Sequence, residues 1–332
     1  MSAPIAFGCA AEITPLWVQR VERLAWSLRT FGGASADAEF HACFAGPVEE
    51  RLVGPLRELD VTVHRVPRFD ARLSYANKLR LLELGDHLGA DVEAIAMIDC
   101  DVVFTGDPGP LLPADRVAAK PADRDPLQLD AWRRLCAAMG IPVPARDVVA
   151  TATGRPMPRY YNSGVVVVPR GQQASMQESW ARWLRRVVDL LADDPEIVPQ
   201  ARRIFADQYA LMAAMAEHDG VALPTEVNCP THLRMHQAAA PARPPAILHY
   251  HDRMWGNGLL QRPVDVNARS AAAAFNAAWA QAQDLPDPGL YPPPVRARVS
   301  TSVARVREGV RASRSFTRLR TSVVGARSSR VA

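Results

Sequence analysis

Short apolar segments alternate with helical patterns along the first third of the chain. The apolar segments have the length of strands and lie at residues 4–10, 39–45 and 61–66. Thr14 and Pro15 predict a helix start after the first segment, and apolar residues at helical spacing continue to Gly32. A second helix is predicted over residues 47–59. Such alternation indicates βαβ units and an α/β fold with a mostly parallel sheet.

Later segments continue this pattern less regularly. Helices are predicted from Ser74 to Leu84 and over residues 130–139, 176–191 and 202–217. Strands are predicted over residues 117–120, 160–168, 223–228 and 246–251, the last two closing the sheet. The first predicted strand is not followed by a GxGxxG loop, which argues against an NAD enzyme.

One apolar stretch, residues 94–104, contains two carboxylates, Asp99 and Asp101. Its length and polar borders predict a buried strand. Because alternate strand residues face the same side, Asp99 and Asp101 are predicted to project together. Neighbouring like charges are costly unless a cation or hydrogen-bond donors compensate them. Carboxylate oxygens suit Mg²⁺ or Mn²⁺, which also engage phosphates, so the stretch predicts a divalent metal site.

A DxD motif alone has other interpretations. One aspartate could cap the following turn while the other is solvated. Residues 99–103 also fit the DxDx[TV] pattern of haloacid-dehalogenase-like phosphatases. In that class the motif normally follows the first strand, whereas three predicted strands precede Asp99 here. This order disfavours the phosphatase.

Composition is ordinary for a folded globular protein: 332 residues, 48% of them hydrophobic and 22% charged. The five cysteines are widely spaced and form no CxxC pair, which favours a reducing compartment. No apolar run approaches the roughly 20 residues of a membrane-spanning helix, and the N-terminus has no basic segment typical of a signal peptide. We therefore expect a cytoplasmic location.

The end of the chain differs from the rest. We predict a catalytic domain over residues 1–285 and a proline-rich linker over 286–294. Residues 295–332 place valines at helical spacing with arginines between them, which predicts a basic amphipathic helix. Such a helix suits an anionic membrane surface, here the inner face of the cell membrane. A disordered tail and a helix packed on its own domain remain alternatives. Nucleic acid is not an expected partner, because aromatic residues are nearly absent from the tail.

Five motifs occur in a distinctive order. They are AMIDCDVVF, YYNSGVVVV, ADQYALM, LPTEVN and ILHYHDRMW. In this order they resemble the GT-A-fold glycosyltransferases, most closely those of glycosyltransferase family 8, over roughly residues 4 to 260. The resemblance implies a hexosyltransferase that uses a nucleotide-diphosphate sugar, with UDP as the expected nucleotide, and Mn²⁺ or Mg²⁺ as cofactor. It also implies retention of anomeric configuration. The acceptor, whether a glycan, a lipid-linked molecule or a protein, is left open.

The resemblance also implies roles for individual residues. Asp101 chelates the metal, Asp99 contributes to the metal and to the ribose hydroxyls, and His249 completes the ligands. His251 is the alternative ligand if His249 points inward. A buried structural role for His249 stays open.

The resemblance also implies which residues bind the sugar donor. Asn162, Asp207 and Gln208 are implied as catalytic residues on the sugar side. The remaining nucleotide- and donor-binding residues are implied as Ala10, Ala11, Glu12, Asn77, Lys78, Ser163, Gly164, Arg253 and Trp255. The family's terminal motif usually has a lysine on the diphosphate, and Arg253 stands in its place. A non-catalytic relative that binds nucleotide sugars or glycans is the alternative function.

Overall fold

The computed structural model describes residues 4–47, 49–194 and 196–285. The predicted linker and basic tail, residues 286–332, lie outside the described residues. Those up to Trp279 form one compact unit. The predicted domain boundary at residue 285 stays a prediction. Within the described part of the chain, no helix combines the length and the apolar character that crossing a bilayer requires.

A mixed, mostly parallel sheet forms the centre of the described residues. Seven strands follow the order β10-β6-β9-β4-β1-β2-β3. Strand β9 is antiparallel to both of its neighbours, whereas the other pairs are parallel. The strands span Ile5–Glu12 (β1), Phe40–Ala45 (β2), Val61–Val66 (β3), Ala94–Ile98 (β4), Ala118–Pro121 (β6), Tyr161–Pro169 (β9) and Val221–Ala222 (β10).

Helices cover both faces of this sheet. The α-helices span Pro15–Phe31 (α1), Glu50–Glu58 (α2), Leu129–Met139 (α3), Gln173–Asp193 (α4), Ala206–Glu217 (α5) and Arg269–Ala282 (α6). Strand β4 shows why two layers are needed, because Ile95 and Met97 pack in one hydrophobic cluster and Ala96 and Ile98 in the other. The fold is therefore the predicted α/β architecture. Helix α6 lies in a segment for which no element is predicted from the sequence pattern.

Local sequence signals explain how α1 begins and ends. The Thr14 side chain accepts a hydrogen bond from Trp17 N, and Pro15 occupies the first turn, where its missing N–H costs nothing. At the other end Gly32 N donates to Leu28 O. The predicted start and end of this helix are confirmed.

The predicted helix over residues 202–217 is two elements. Residues Gln200–Phe205 form a 3₁₀ helix, and α5 begins at Ala206. The predicted helix after Ser74 is also 3₁₀, over Ser74–Glu83. Asp207 therefore lies in the first turn of α5, where the helix dipole favours a carboxylate.

A small second sheet differs from the prediction. Strands β11 (Cys229–Pro230), β12 (Ile247–His249) and β5 (Val102–Phe104) form it, so the strand predicted over residues 246–251 pairs outside the main sheet. The strand predicted over residues 223–228 is wrong, because Thr225–Val227 is a 3₁₀ helix and β11 begins only at Cys229. Strands β7 (Val148–Val149) and β8 (Pro156–Met157) form a separate hairpin.

The predicted single strand over residues 94–104 is also wrong. It is two strands in different sheets, β4 and β5, joined by a turn at residues 99–101. The turn is needed because β4 pairs with β1 and β9, whereas β5 pairs with β12. Strand alternation is thus not what places Asp99 beside Asp101. The turn itself brings them together.

Candidate active site

The turn between β4 and β5 brings three predicted metal ligands together. One ligand atom each from Asp99, Asp101 and His249 lie within 4.8 Å of one another. His249 is the last residue of β12, and its Nε2 is 3.2 Å from Asp101 Oδ1. The two carboxylates are partly exposed, whereas His249 is buried. The cluster opens toward solvent on its acidic side.

The site residues fit a divalent cation. His249 Nδ1 lies 2.8 Å from Asn228 Oδ1. When Nδ1 carries the proton, it donates a hydrogen bond to this amide oxygen. The Nε2 atom then keeps its lone pair and is free to bind a metal beside the carboxylate of Asp101. Two carboxylates and one oriented imidazole form a donor set that suits Mn²⁺.

Asp101 and His249 shift each other's pKa through their electrostatic attraction. Burial alone would lower the pKa of His249, but attraction to Asp101 outweighs it and raises that pKa. Burial would likewise raise the pKa of Asp101, and the neighbouring His249 instead holds it well below its ordinary value. Asp101 is therefore a carboxylate ready to act as a ligand. Arg20, on α1, also lowers this pKa, and the sequence analysis did not single it out.

The turn is held to the second sheet by Tyr250. Tyr250 N donates to Asp101 O over 3.0 Å, and the phenol donates to Cys100 O over 3.2 Å. Because Tyr250 directly follows His249, these two bonds fix the distance between the aspartates and the histidine.

Gly164 shows how tightly the site is packed. A Cβ atom there would lie 2.6 Å from His249 Cε1 and 2.7 Å from Asn162 Oδ1. Gly164 also donates its N–H to Asn162 Oδ1, and its carbonyl accepts from Asp99 N. Only a glycine lets strand β9 pass this close to the histidine.

Asn228 is a site residue that the sequence analysis did not identify. Its amide oxygen contacts His249 Nδ1, and its Nδ2 donates to Asn162 Oδ1 over 3.0 Å. Asn228 therefore connects the predicted metal ligand His249 to the predicted donor-sugar residue Asn162. Its place at the end of the LPTEVN motif was the available signal.

A buried lysine joins the two predicted halves of the site. Lys78 Nζ is 2.6 Å from Asp99 Oδ1, 3.1 Å from Ser163 Oγ and 3.7 Å from Asp207 Oδ2. Burial would lower the pKa of Lys78, but Asp99 and Asp207 outweigh this and raise it. Lys78 is therefore charged and neutralises two carboxylates at once.

Asp207 lies behind Ser163. Its Oδ2 accepts from Ser163 Oγ over 2.6 Å, and the side chain is 6% exposed. Burial raises the pKa of Asp207 even though Lys78 opposes the shift. Gln208 follows it on α5 and is partly exposed. The structure thus joins Asp207, Ser163 and Lys78 in one network that reaches Asp99, one of the predicted metal ligands.

The predicted base-binding residues lie at the end of β1. Ala10, Ala11 and Glu12 are the last residues of that strand. Asn77 is buried and both ends of its amide are used, because Nδ2 donates to Glu12 Oε1 and Oδ1 accepts from Phe69 N. Asn77 therefore ties the end of β1 at Glu12 to the loop at Phe69.

The last two predicted residues follow β12. Arg253 reaches Arg262 O through Nη2 over 3.4 Å, and its Nε is buried without a hydrogen-bond partner among the described residues. Trp255 lies in the next turn, where its N–H donates to Leu259 O. Neither is held against the three metal ligands.

Solved structures of several glycosyltransferases have a fold similar to that of this chain. A structure of LgtC carrying an active-site mutation is 14% identical and covers 83% of this chain and 95% of that chain, with a TM-score of 0.50. GlyE of Streptococcus pneumoniae is 13% identical over 84% of this chain and 63% of that chain, with a TM-score of 0.47. Mouse xyloside xylosyltransferase 1 is 12% identical over 75% and 98%, with a TM-score of 0.44. The likeness to LgtC shows a GT-A fold.

A family model then identifies the chain more closely. Residues 24–219 match the Rhodobacterales glycosyltransferase domain, which is more than half of the chain. The chain therefore belongs to this family of glycosyltransferases and is a transferase enzyme. No protein of curated function matches the sequence. The predicted closeness to glycosyltransferase family 8 stays a prediction.

Proposed function

We propose that this glycosyltransferase takes its sugar from a nucleotide diphosphate, with UDP as the expected nucleotide, and requires Mn²⁺ or Mg²⁺. The observation that carries the proposal is the convergence of Asp99, Asp101 and His249 within 4.8 Å, beside the buried Lys78. Asp99, Asp101 and His249 would hold the cation, and its charge would offset the negative charge that develops on the leaving diphosphate.

Lys78 supplies a second positive charge next to the proposed metal site. Its ammonium group already contacts Asp99, Ser163 and Asp207 in a buried setting, where electrostatic interactions are strong. This fixed charge lies between the carboxylates of Asp99 and Asp207, 2.6 Å from Asp99 Oδ1 and 3.7 Å from Asp207 Oδ2. We propose that it orients both carboxylates before the donor binds.

The donor sugar is proposed to lie against the start of β9 and α5. Asn162 uses its amide oxygen for Gly164 N and Asn228 Nδ2. Among the described residues its own Nδ2 has no such bond, so that group is left to donate to a sugar hydroxyl. Asp207 and Gln208 are proposed to contact the sugar from the helix side. Because Lys78 and Ser163 hold Asp207, we expect it to position the sugar rather than remove a proton.

The proposed reaction retains anomeric configuration. Retention is the stereochemistry that the resemblance to the GT-A-fold glycosyltransferases of family 8 implies. Nuclear magnetic resonance of the first-formed product identifies its anomer, and an inverted product would contradict retention.

The metal assignment is tested by donor hydrolysis. Wild-type protein is incubated with a panel of nucleotide sugars in the presence of Mn²⁺, and then with a chelator. We expect Mn²⁺ to stimulate release of nucleoside diphosphate from a UDP-sugar. Asp101→Asn should lower the stimulated rate at least a hundredfold while circular dichroism shows an unchanged fold. A variant as active as the wild type would show that Asp101 is not a ligand.

A further inference from the structure

A second group of potential metal ligands lies beside the candidate active site. One ligand atom each from Asp123, His232 and His251 lie within 4.8 Å of one another. Asp123 and His232 have no role in the site described above. His251 is predicted from the sequence only as the alternative ligand to His249.

Strand register brings the two histidines together. Pro230 pairs with His249 in the parallel ladder of β11 and β12. The ladder continues through Thr231, whose N–H donates to His249 O over 3.0 Å. His232 and His251 each lie two residues beyond the last pair, so they leave the ladder side by side. Their ring centroids are 4.3 Å apart, with one ring edge-on to the other.

The backbone at His251 sets the direction of its ring. His251 has a φ of 52°, in the left-handed region, so the chain turns sharply after β12. Its ring lies flat on that of His249, with the centroids 3.8 Å apart. The Nδ1 atom is 3.3 Å from His249 O. When Nδ1 carries the proton and donates to this carbonyl, Nε2 is the electron-pair donor that a metal needs.

Asp123 is fixed in place from the other side. It follows β6, and its Oδ1 accepts from Lys120 Nζ over 2.7 Å. Lys120 is only 1% exposed, and its Nζ also donates to Pro121 O over 3.0 Å. The lysine therefore orients the carboxylate in advance and uses one of its two oxygens. The second oxygen remains as a ligand.

We propose that Asp123, His232 and His251 bind a second divalent cation, of the zinc type. Two imidazoles and one carboxylate suit Zn²⁺, whereas Mg²⁺ prefers a shell of oxygens. Zinc sites with three protein ligands keep a fourth position for water or another oxygen ligand. His232 is exposed, so that position is open to solvent. The stacked pair of His249 and His251 contributes one ring to each metal site.

Zinc titration of the full-length chain tests this proposal, using protein without a polyhistidine tag. The Asp101→Asn variant serves as the background, because it removes a ligand of the first site. Calorimetry should show one zinc ion still bound in this background. Adding His232→Ala should weaken that binding at least tenfold, because a direct ligand is lost. The matched control is His218→Ala. His218 is partly exposed and directly follows α5, so its loss should leave the zinc affinity unchanged.

A second readout identifies the ligands. Co²⁺ replaces Zn²⁺ in such sites, and its visible absorption reports the coordinating atoms. Asp123→Asn and His232→Ala should each change this spectrum, while His218→Ala should not. Zinc affinity that is unchanged in both ligand variants would overturn the proposal. So would complete loss of zinc binding in the Asp101→Asn background, since all zinc would then occupy the first site.

Discussion

Gly164 is the residue at which the packing of the site is most constrained. A methyl group there meets His249 and Asn162 at distances well below normal contact. Gly164→Ala should therefore destabilise the protein by about 1–3 kcal/mol, the usual cost of overpacking, and weaken Mn²⁺ binding by moving the histidine. Thermal denaturation and Mn²⁺ calorimetry measure the two effects.

Gly171→Ala is the matched control for this substitution. Nothing lies within 4 Å of a Cβ at Gly171, so both stability and metal affinity should stay near wild-type values. Equal behaviour of the two alanine variants would mean that β9 moves aside at Gly164 at little cost.

Lys78 is a buried residue whose positive charge is shared by two carboxylates, so its loss should lower the stability of the fold. Lys78→Met would leave Asp99 and Asp207 near each other without their shared cation. Removing one partner of a buried ion pair typically costs about 3–5 kcal/mol, and urea denaturation should show a loss in this range. The double variant Lys78→Met/Asp207→Asn should recover part of it. No recovery would indicate that Asp207 does not depend on Lys78.

Sequence motifs singled out residues that the structure brings close together, but not the contacts between them. The DxD and NSG motifs named Asp99, Asp101 and Ser163, and Lys78 contacts both Asp99 and Ser163. The functional roles of these residues stay a prediction. Nothing in the spacing showed that Lys78 would lie between Asp99 and Asp207, because that contact joins residues 21 and 129 positions apart. Asn228 was missed for the same reason. A single asparagine in a loop carries no periodic signal, and its role depends on partners from two other elements.

At the scale of elements, strands β2 and β3 bring a pair of histidines together away from the site. His41 Nδ1 and His64 Nε2 are 3.0 Å apart, and the rings are stacked. Burial, together with His41, lowers the pKa of His64 to about 4. Burial also lowers the pKa of His41, although Glu39 opposes that shift.

The sign of the resulting pH dependence follows from this shift. A histidine whose pKa is lower in the folded state binds protons more tightly when unfolded. Its contribution to stability is therefore lost as the pH falls from about 6.5 toward about 4. Urea denaturation across this range should show a flatter decline for His64→Gln than for the wild type. Equal declines in the two proteins would mean that protonation of His64 is tolerated in the fold.

Periodicity predicted the elements of the main sheet well and the second sheet poorly. Strand β3 was expected over residues 61–66 and has those bounds. Strands β11 and β12 are only two and three residues long, too short for alternation to show which sheet they join. The break between β4 and β5 was hidden as well, because both strands are buried and read as one apolar run. Which sheet a short strand joins, and where a long apolar run divides, depends on pairing with strands that are distant in sequence.

At the scale of the whole molecule, the basic segment over residues 295–332 lies outside the described residues, and its partner stays a prediction. Ten arginines and one acid follow residue 287. Arginines near an anionic bilayer contribute on the order of 1 kcal/mol each. The full-length protein should therefore co-sediment with phosphatidylglycerol vesicles at low salt and be released as salt rises. A chain ending at Tyr291 should remain in the supernatant, and equal binding by the two would contradict the prediction.

The turn at residues 99–101 has a consequence for how the enzyme is made. Asp101 must meet His249, and the two are far apart along the chain although their side chains are 3.2 Å apart. A growing chain on the ribosome can complete the main sheet's first four parallel strands long before residue 249 emerges. The proposed metal-binding centre is therefore incomplete until synthesis has passed β12, and under the proposed function a shorter nascent chain cannot cleave nucleotide sugars. Fragments that end before β12 should accordingly be inert, however well their sheet has formed.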